Sequence, residues 1–186
     1  EIMVRVDNTI DRSLIPSQKA DFVLYGGLTR DVYLQVLPHD HIDTVQIDTP
    51  WVKRDLAQVK VTLQLERHAN RAGAQQLLLQ VHNAEGEIVA TALQELPPGN
   101  GASTHDIRLP DIATPALWSP GAPNLYTLSA SLQSPEGEVI HEVTESFGLR
   151  WFEFAADGSF MLNGERLLLR GTHRHEEHAG YGAAMP

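Results

Sequence analysis

Apolar and polar residues alternate along most of this chain. Over residues 59–65, Val59, Val61, Leu63 and Leu65 fall on one side and Lys60, Thr62 and Gln64 on the other. Residues 77–81, 125–132 and 139–143 repeat the pattern. A period of two sends successive side chains to opposite faces, so each run predicts a half-buried strand. Residues that favour turns separate the runs, at 83–86, 97–101 and 134–137. Short strands punctuated in this way predict an antiparallel sandwich. No segment carries a helical period, and no internal repeat is visible.

The pattern changes twice. Residues 1–38 hold strand-like runs at 1–6 and 31–37, with a loop at 7–20 between them. Residues 39–150 hold the sustained alternation. Residues 151–186 hold Asn163-Gly164 between the apolar runs 160–162 and 167–169. Asn-Gly in that setting predicts a two-residue hairpin, because both central residues of a type I′ turn need positive φ. The run 167–169 is wholly leucine, the pattern of a strand buried on both faces of a parallel sheet. A histidine-rich loop follows at once.

Composition narrows the functions. The chain has 186 residues, of which 42% are hydrophobic and 20% charged, an ordinary globular balance. A chain of this size buries roughly two thirds of its unfolded surface. The net charge of -10 argues against nucleic acid and anionic membranes as partners. No cysteine is present, which excludes disulfides and thiolate metal sites. It leaves bacterial cytoplasm and periplasm equally open. The sequence opens at Glu1 inside a strand-like run and stops at Pro186 soon after its densest motif. The expectation is an internal piece of a longer protein.

Three motifs carry a family resemblance. Arg170-Gly171-Thr172-His173-Arg174-His175-Glu176-Glu177-His178, preceded by Leu162-Asn163-Gly164-Glu165, resembles family-two glycoside hydrolases of the β-galactosidase kind. In that family an Asn-Gly hairpin leads into the first strand of a (β/α)8 barrel, which an Arg-Gly-x-Asn-Arg-His-Glu segment caps. Asp21-Phe22, Gly26-Gly27 and Arg30-Asp31-Val32 resemble the last strands of the family's N-terminal jelly-roll domain. Trp118-Ser119-Pro120 with Pro123 and Leu125-Tyr126 is similar to a signature of its immunoglobulin-like domain, and Phe147-Gly148-Leu149-Arg150 fits the end of that domain. The matches run in the family's order along nearly the whole chain. His173 departs from the pattern, standing where the family usually has Asn.

The resemblance implies an all-β chain: the incomplete tail of a sugar-binding jelly roll at 1–38, a complete immunoglobulin-like sandwich at 39–150, and the opening hairpin and first strand of the catalytic barrel at 151–186. It implies retaining hydrolysis of terminal β-galactosides by the whole enzyme, with β-glucuronidase and β-mannosidase as the alternatives. That chemistry needs two carboxylates about 5–5.5 Å apart. In the family they lie on later barrel strands, so none of the 24 acidic residues here is assigned to it, and this chain alone is expected to be inactive. The resemblance also allows magnesium or sodium, and a homo-oligomer, in the whole enzyme. No cofactor is expected on this chain. The competing class is a free-standing carbohydrate-binding sandwich, which has no use for the apolar run 167–169.

The candidate substrate-binding residues are His175 and Asp21. Barrel active sites lie at the C-terminal ends of the strands, and His175 follows 167–169 by one short loop. A histidine there can donate a hydrogen bond to a sugar hydroxyl, or be an ordinary loop histidine; the resemblance assigns it to the glycon. Asp21 is either a turn residue after 16–20 or, as the resemblance implies, a carboxylate that reaches the sugar and accepts two of its O–H bonds. Arg170 and Glu176 are expected to act behind them. Arg170 would pair with a carboxylate, and Glu176 would orient a neighbouring Arg or His. His173, His175 and His178, with His39 and His41, invite a zinc reading. His-Glu-Glu-His lacks the spacing that sets two ligands on one helix face, so that reading is rejected. Gly26-Gly27 reads as a bulge, not a phosphate loop. Trp118 is expected to pack in the sandwich, and Trp51 and Trp151 to seat domain junctions.

Overall fold

The computed structural model describes residues 2–9, 11, 13, 25–68, 75–174 and 176–184. Among them every regular element is a strand: β1 (His41–Val52), β2 (Leu56–Arg67), β3 (Gln75–His82), β4 (Ile88–Leu96), β5 (Gly101–Arg108), β6 (Ile112–Ala113), β7 (Trp118–Ser119), β8 (Ala122–Pro123), β9 (Tyr126–Gln133), β10 (Val139–Phe147), β11 (Phe152–Phe154), β12 (Phe160–Leu162) and β13 (Glu165–Arg166). The chain divides into two compact units, one of Val36–Leu169 and one of Glu1–Gln35 with Arg170–Pro186.

The larger unit is built on two antiparallel sheets. One runs β1-β2-β5, with β6 also pairing β2; the other runs β10-β9-β3-β4. The alternation in the sequence explains the layering. On β2, Ala57, Val59, Val61, Leu63 and Leu65 are buried, while the residues between them stay partly or fully exposed. On β3 the same holds for Leu77, Leu79 and Val81. Leu63, Leu79 and Leu128, from both sheets, are each 0% exposed and belong to one continuous core. Each such side chain contributes about 1.5–3 kcal/mol by leaving water.

The turns form where their residues allow. Gly86 and Gly137 both hold positive φ and donate to Asn83 O and Ser134 O, each at 3.0 Å. Pro50 lies in β1, the outer strand of its sheet, within a register shift between Asp48 and Trp51. Proline lacks an N–H and is tolerated at such an edge.

A third, three-stranded sheet, β11-β12-β13, follows the core. Asn163 and Gly164 take φ of 54° and 80°, the conformation expected of the hairpin turn between β12 and β13. Asn163 is 7% exposed and is fully bonded. Its backbone N–H donates to Trp151 O at 2.9 Å, and its Oδ1 accepts from the Trp151 N–H at 3.1 Å. Its Nδ2 donates to Trp118 O at 2.9 Å, and its carbonyl accepts from Arg54 Nη2 at 3.2 Å. The hairpin is thus pinned to the rest of its unit by Asn163 and by Arg54, whose Nη2 also pairs with Glu165 Oε1 at 3.0 Å. Around it, the Arg150 guanidinium lies 4.4 Å from the centroid of Trp118, and Lys53 Nζ lies 4.8 Å from Trp151 and 5.5 Å from Trp51. Trp118 is half-buried, and Trp151 packs against the core.

Three expected strands do not form. Ile2, Met3, Val4 and Val6 are exposed and irregular, as are Val32, Tyr33, Leu34 and Val36. Residues 167–170 also lie outside any strand, with Leu168 and Leu169 exposed instead of buried on both faces. A strand is stable only beside other strands that satisfy its backbone. Among the described residues no sheet takes up these runs.

Candidate functional site

The smaller unit brings together two segments of the motifs read from the sequence. One is 25–30, the other 176–184. The second is a tight turn. His178 N–H donates to Gly182 O at 3.1 Å, and Gly182 N–H returns to His178 O at 2.9 Å. Tyr181 N–H also donates to His178 O, and Ala184 N–H to Tyr181 O, both at 3.1 Å. Gly180 and Gly182 hold φ of 92° and 59°, which a side chain would oppose. Gly182 also admits a neighbour: a Cβ there would stand 2.9 Å from Tyr25 Cδ1.

Arg30 joins the two segments. Its Nη2 pairs with Glu176 Oε2 at 3.2 Å, and its Nη1 donates to Ala183 O at 3.3 Å and Thr29 O at 2.8 Å. Both ends of the ion pair are largely exposed, so it sets geometry more than it adds stability. Beside it opens a groove of about 600 Å³, lined by Tyr25, Leu28, Thr29, Glu177, His178 and Tyr181 among others.

The candidate residues fall unevenly on this geometry. Glu176 pairs with Arg30. Arg170 is exposed, and none of the ion pairs among the described residues involves it. His175 and Asp21 lie outside the described residues. Tyr25 and Tyr181 were not singled out by the sequence reasoning. The signal was there in part, since Gly180 and Gly182 bracket Tyr181 as a turn would require.

A second groove of about 500 Å³ lies in the larger unit, beside the 83–86 turn. Several of its polar side chains are already engaged. Asn83 caps its own turn, Asp111 pairs with Arg108 at 3.4 Å, and Asn124 Nδ2 donates to Leu117 O. Among the described residues no three His, Asp or Glu side chains converge to hold an ion.

A sequence profile of glycosyl hydrolases family 2 matches residues 40–150. The chain belongs to glycosyl hydrolases family 2. Its relatives within that family carry two activities in their names. A Formosa agariphila protein, provisionally named a β-glucuronidase, is 43% identical over the whole chain, which covers 22% of that protein. A β-galactosidase of Thermoanaerobacter pseudethanolicus is 30% identical over the whole chain, which covers 24% of it. Among solved structures, Bacteroides uniformis β-glucuronidase 2, bound covalently to cyclophellitol-6-carboxylate aziridine, superimposes with a TM-score of 0.89 at 25% identity, over 97% of this chain and 22% of that one. The chain thus spans about a quarter or less of the family members it matches.

Proposed function

We propose that this chain is part of a retaining glycoside hydrolase that removes the terminal sugar from a β-glycoside. The observation that carries the reading is the groove between 25–30 and 176–184, where residues of two family motifs meet through the Arg30–Glu176 pair. In this reading 1–38 is the tail of a jelly roll, 39–150 an immunoglobulin-like sandwich and 151–186 the start of the catalytic barrel. In it His175 and Asp21 bind the sugar, with Glu176 and Arg170 acting behind them. The acid/base and nucleophile carboxylates lie on parts of the enzyme beyond this chain, where they would stand about 5–5.5 Å apart.

Two glycons are supported. Arg174-His175-Glu176 favours a β-galactoside, as does the Thermoanaerobacter relative. The Formosa relative and the Bacteroides structure favour a β-glucuronide. The full-length enzyme should hydrolyse 4-nitrophenyl β-galactoside or 4-nitrophenyl β-glucuronide, and the first sugar released should be the β anomer by NMR. Activity on neither substrate nor on 4-nitrophenyl β-mannoside, or release of the α anomer, refutes the reading. The purified 186-residue chain should hydrolyse neither. Turnover above a blank, once host galactosidase is removed, would place the catalytic carboxylates inside it.

A further inference from the structure

The groove contains an aromatic ring that the proposed function leaves unused. Tyr181 is 57% exposed. A single exposed aromatic is ordinary on a protein surface, but this one is held. Four backbone hydrogen bonds within 178–184 fix its turn, and two positive-φ glycines bracket it. The His178 ring stands 5.4 Å from it at 54°, restricting the tyrosine on one side. Across the same groove Tyr25 packs on Gly182, so the turn is braced from below its own glycine. A rigid exposed ring at the rim of a concave site is an anchor available to a ligand without much loss of side-chain entropy.

Carbohydrate is the chemistry that suits such a ring. A pyranose presents axial C–H groups as an apolar patch on one face and hydroxyls around its rim. The patch fits flat against an aromatic ring, while the hydroxyls can reach the polar groups nearby, among them His178 and Thr29. We propose that Tyr181 is a specificity-determining residue of this groove, stacking on the C–H face of a pyranose ring of the substrate. The inference rests on the glycosidase reading of the same groove. The stacked ring is either the terminal sugar or the one behind it, and the two are separable by experiment.

The test uses the full-length enzyme as wild type, Tyr181→Phe, Tyr181→Leu and Tyr181→Ala. Affinities for methyl β-galactoside, methyl β-glucuronide and the disaccharide lactose are read by calorimetry, and KM and kcat on lactose and the two 4-nitrophenyl glycosides alongside. Tyr181→Ala should weaken the stacked ligand about tenfold, with KM rising and kcat changing less than about twofold, the pattern of lost uniform binding. Tyr181→Phe, which keeps the ring, should stay within about twofold of wild type, and Tyr181→Leu should fall between. A loss on the methyl glycosides assigns the ring to the terminal sugar; a loss on lactose alone assigns it to the second. Equal affinities in all four proteins overturn the proposal, and so does a Phe variant as weak as the Ala variant. A wild type that binds these sugars but hydrolyses none defeats the glycosidase reading and leaves the stacking measurable by calorimetry.

Discussion

Asn163 concentrates more of the local architecture than its size suggests, and replacing it gives a graded result. Its side chain makes two hydrogen bonds to backbone groups of Trp151 and Trp118, 12 and 45 residues away. Each is worth about 0.5–1.5 kcal/mol when made, and leaving a buried backbone partner unpaired costs about 1–3 kcal/mol. Asn163 also holds φ at 54°, a conformation that costs an ordinary L-residue about 1–2 kcal/mol. Asn163→Gly loses the bonds but not the backbone freedom, so it should cost about 2–3 kcal/mol. Asn163→Ala loses both and should cost about 3–5 kcal/mol. Asn163→Asp keeps the acceptor for Trp151 N–H but turns a carboxylate oxygen toward Trp118 O, where Nδ2 now stands at 2.9 Å. That repulsion disappears when the carboxyl is protonated and can donate. Urea unfolding of the chain, followed by fluorescence of Trp118 and Trp151, reads all three. The order Gly, then Ala, is the decisive outcome. An Ala variant as stable as the Gly variant would mean that the positive φ carries no cost. A Gly variant as stable as wild type would mean that the two hydrogen bonds contribute nothing. The Asp variant should recover part of its loss as pH falls from 7 to 4, and a loss that grows with acid would reverse the assignment of donor and acceptor.

Other outcomes follow from the core, a histidine and the loop. Leu63→Ala empties a fully buried position shared by both sheets and should cost about 2–5 kcal/mol in the same urea assay. His141 has its pKa held below the ordinary histidine value by burial and by nearby His41, and its Nδ1 accepts the Ile42 N–H at 3.1 Å. Its neutral form is the folded form, so the stability it lends is complete above the unfolded value of about 6.5 and is lost as pH falls through the lower folded value. His141→Asn, which keeps an acceptor at every pH, should flatten that dependence in thermal melts between pH 7 and 5; an unchanged slope places the titration elsewhere. In the full-length enzyme His175→Ala should lower kcat/KM roughly one to two orders of magnitude, a loss of about 1.5–3 kcal/mol, while His82→Ala, in the other unit, should leave it unchanged. Equal small losses would make His175 an ordinary loop histidine.

How legible the molecule was depended on whether a segment's neighbours are in the same chain. Val59, Val61, Leu63 and Leu65 alternate and bury as predicted, because β2 has β1, β5 and β6 to pair with. Asn163-Gly164 gave its turn, since positive φ is a local demand. Val32, Leu34 and Leu168 carry equally strong apolar patterns and remain exposed. Pattern states what a segment requires of its surroundings, and it cannot supply a sheet. The site divides likewise. Glu176 pairs with Arg30, 146 positions away, a distance no local pattern spans. A tyrosine between two glycines, as Tyr181 is, reads only as a turn until the fold shows a groove beside it.

Pro50 in β1 has a consequence for how the larger unit keeps company with other proteins. A sheet that ends in an open strand offers a row of bare N–H and C=O groups on which a stranger's strand can settle. On β1 that row is interrupted. The ladder to β2 shifts register between Ile42 and Thr44 and again between Asp48 and Trp51, and at Pro50 the backbone has no proton to give. An incoming strand would lose hydrogen bonds near both ends of this edge, so the rim is a poor template for growth into a fibril.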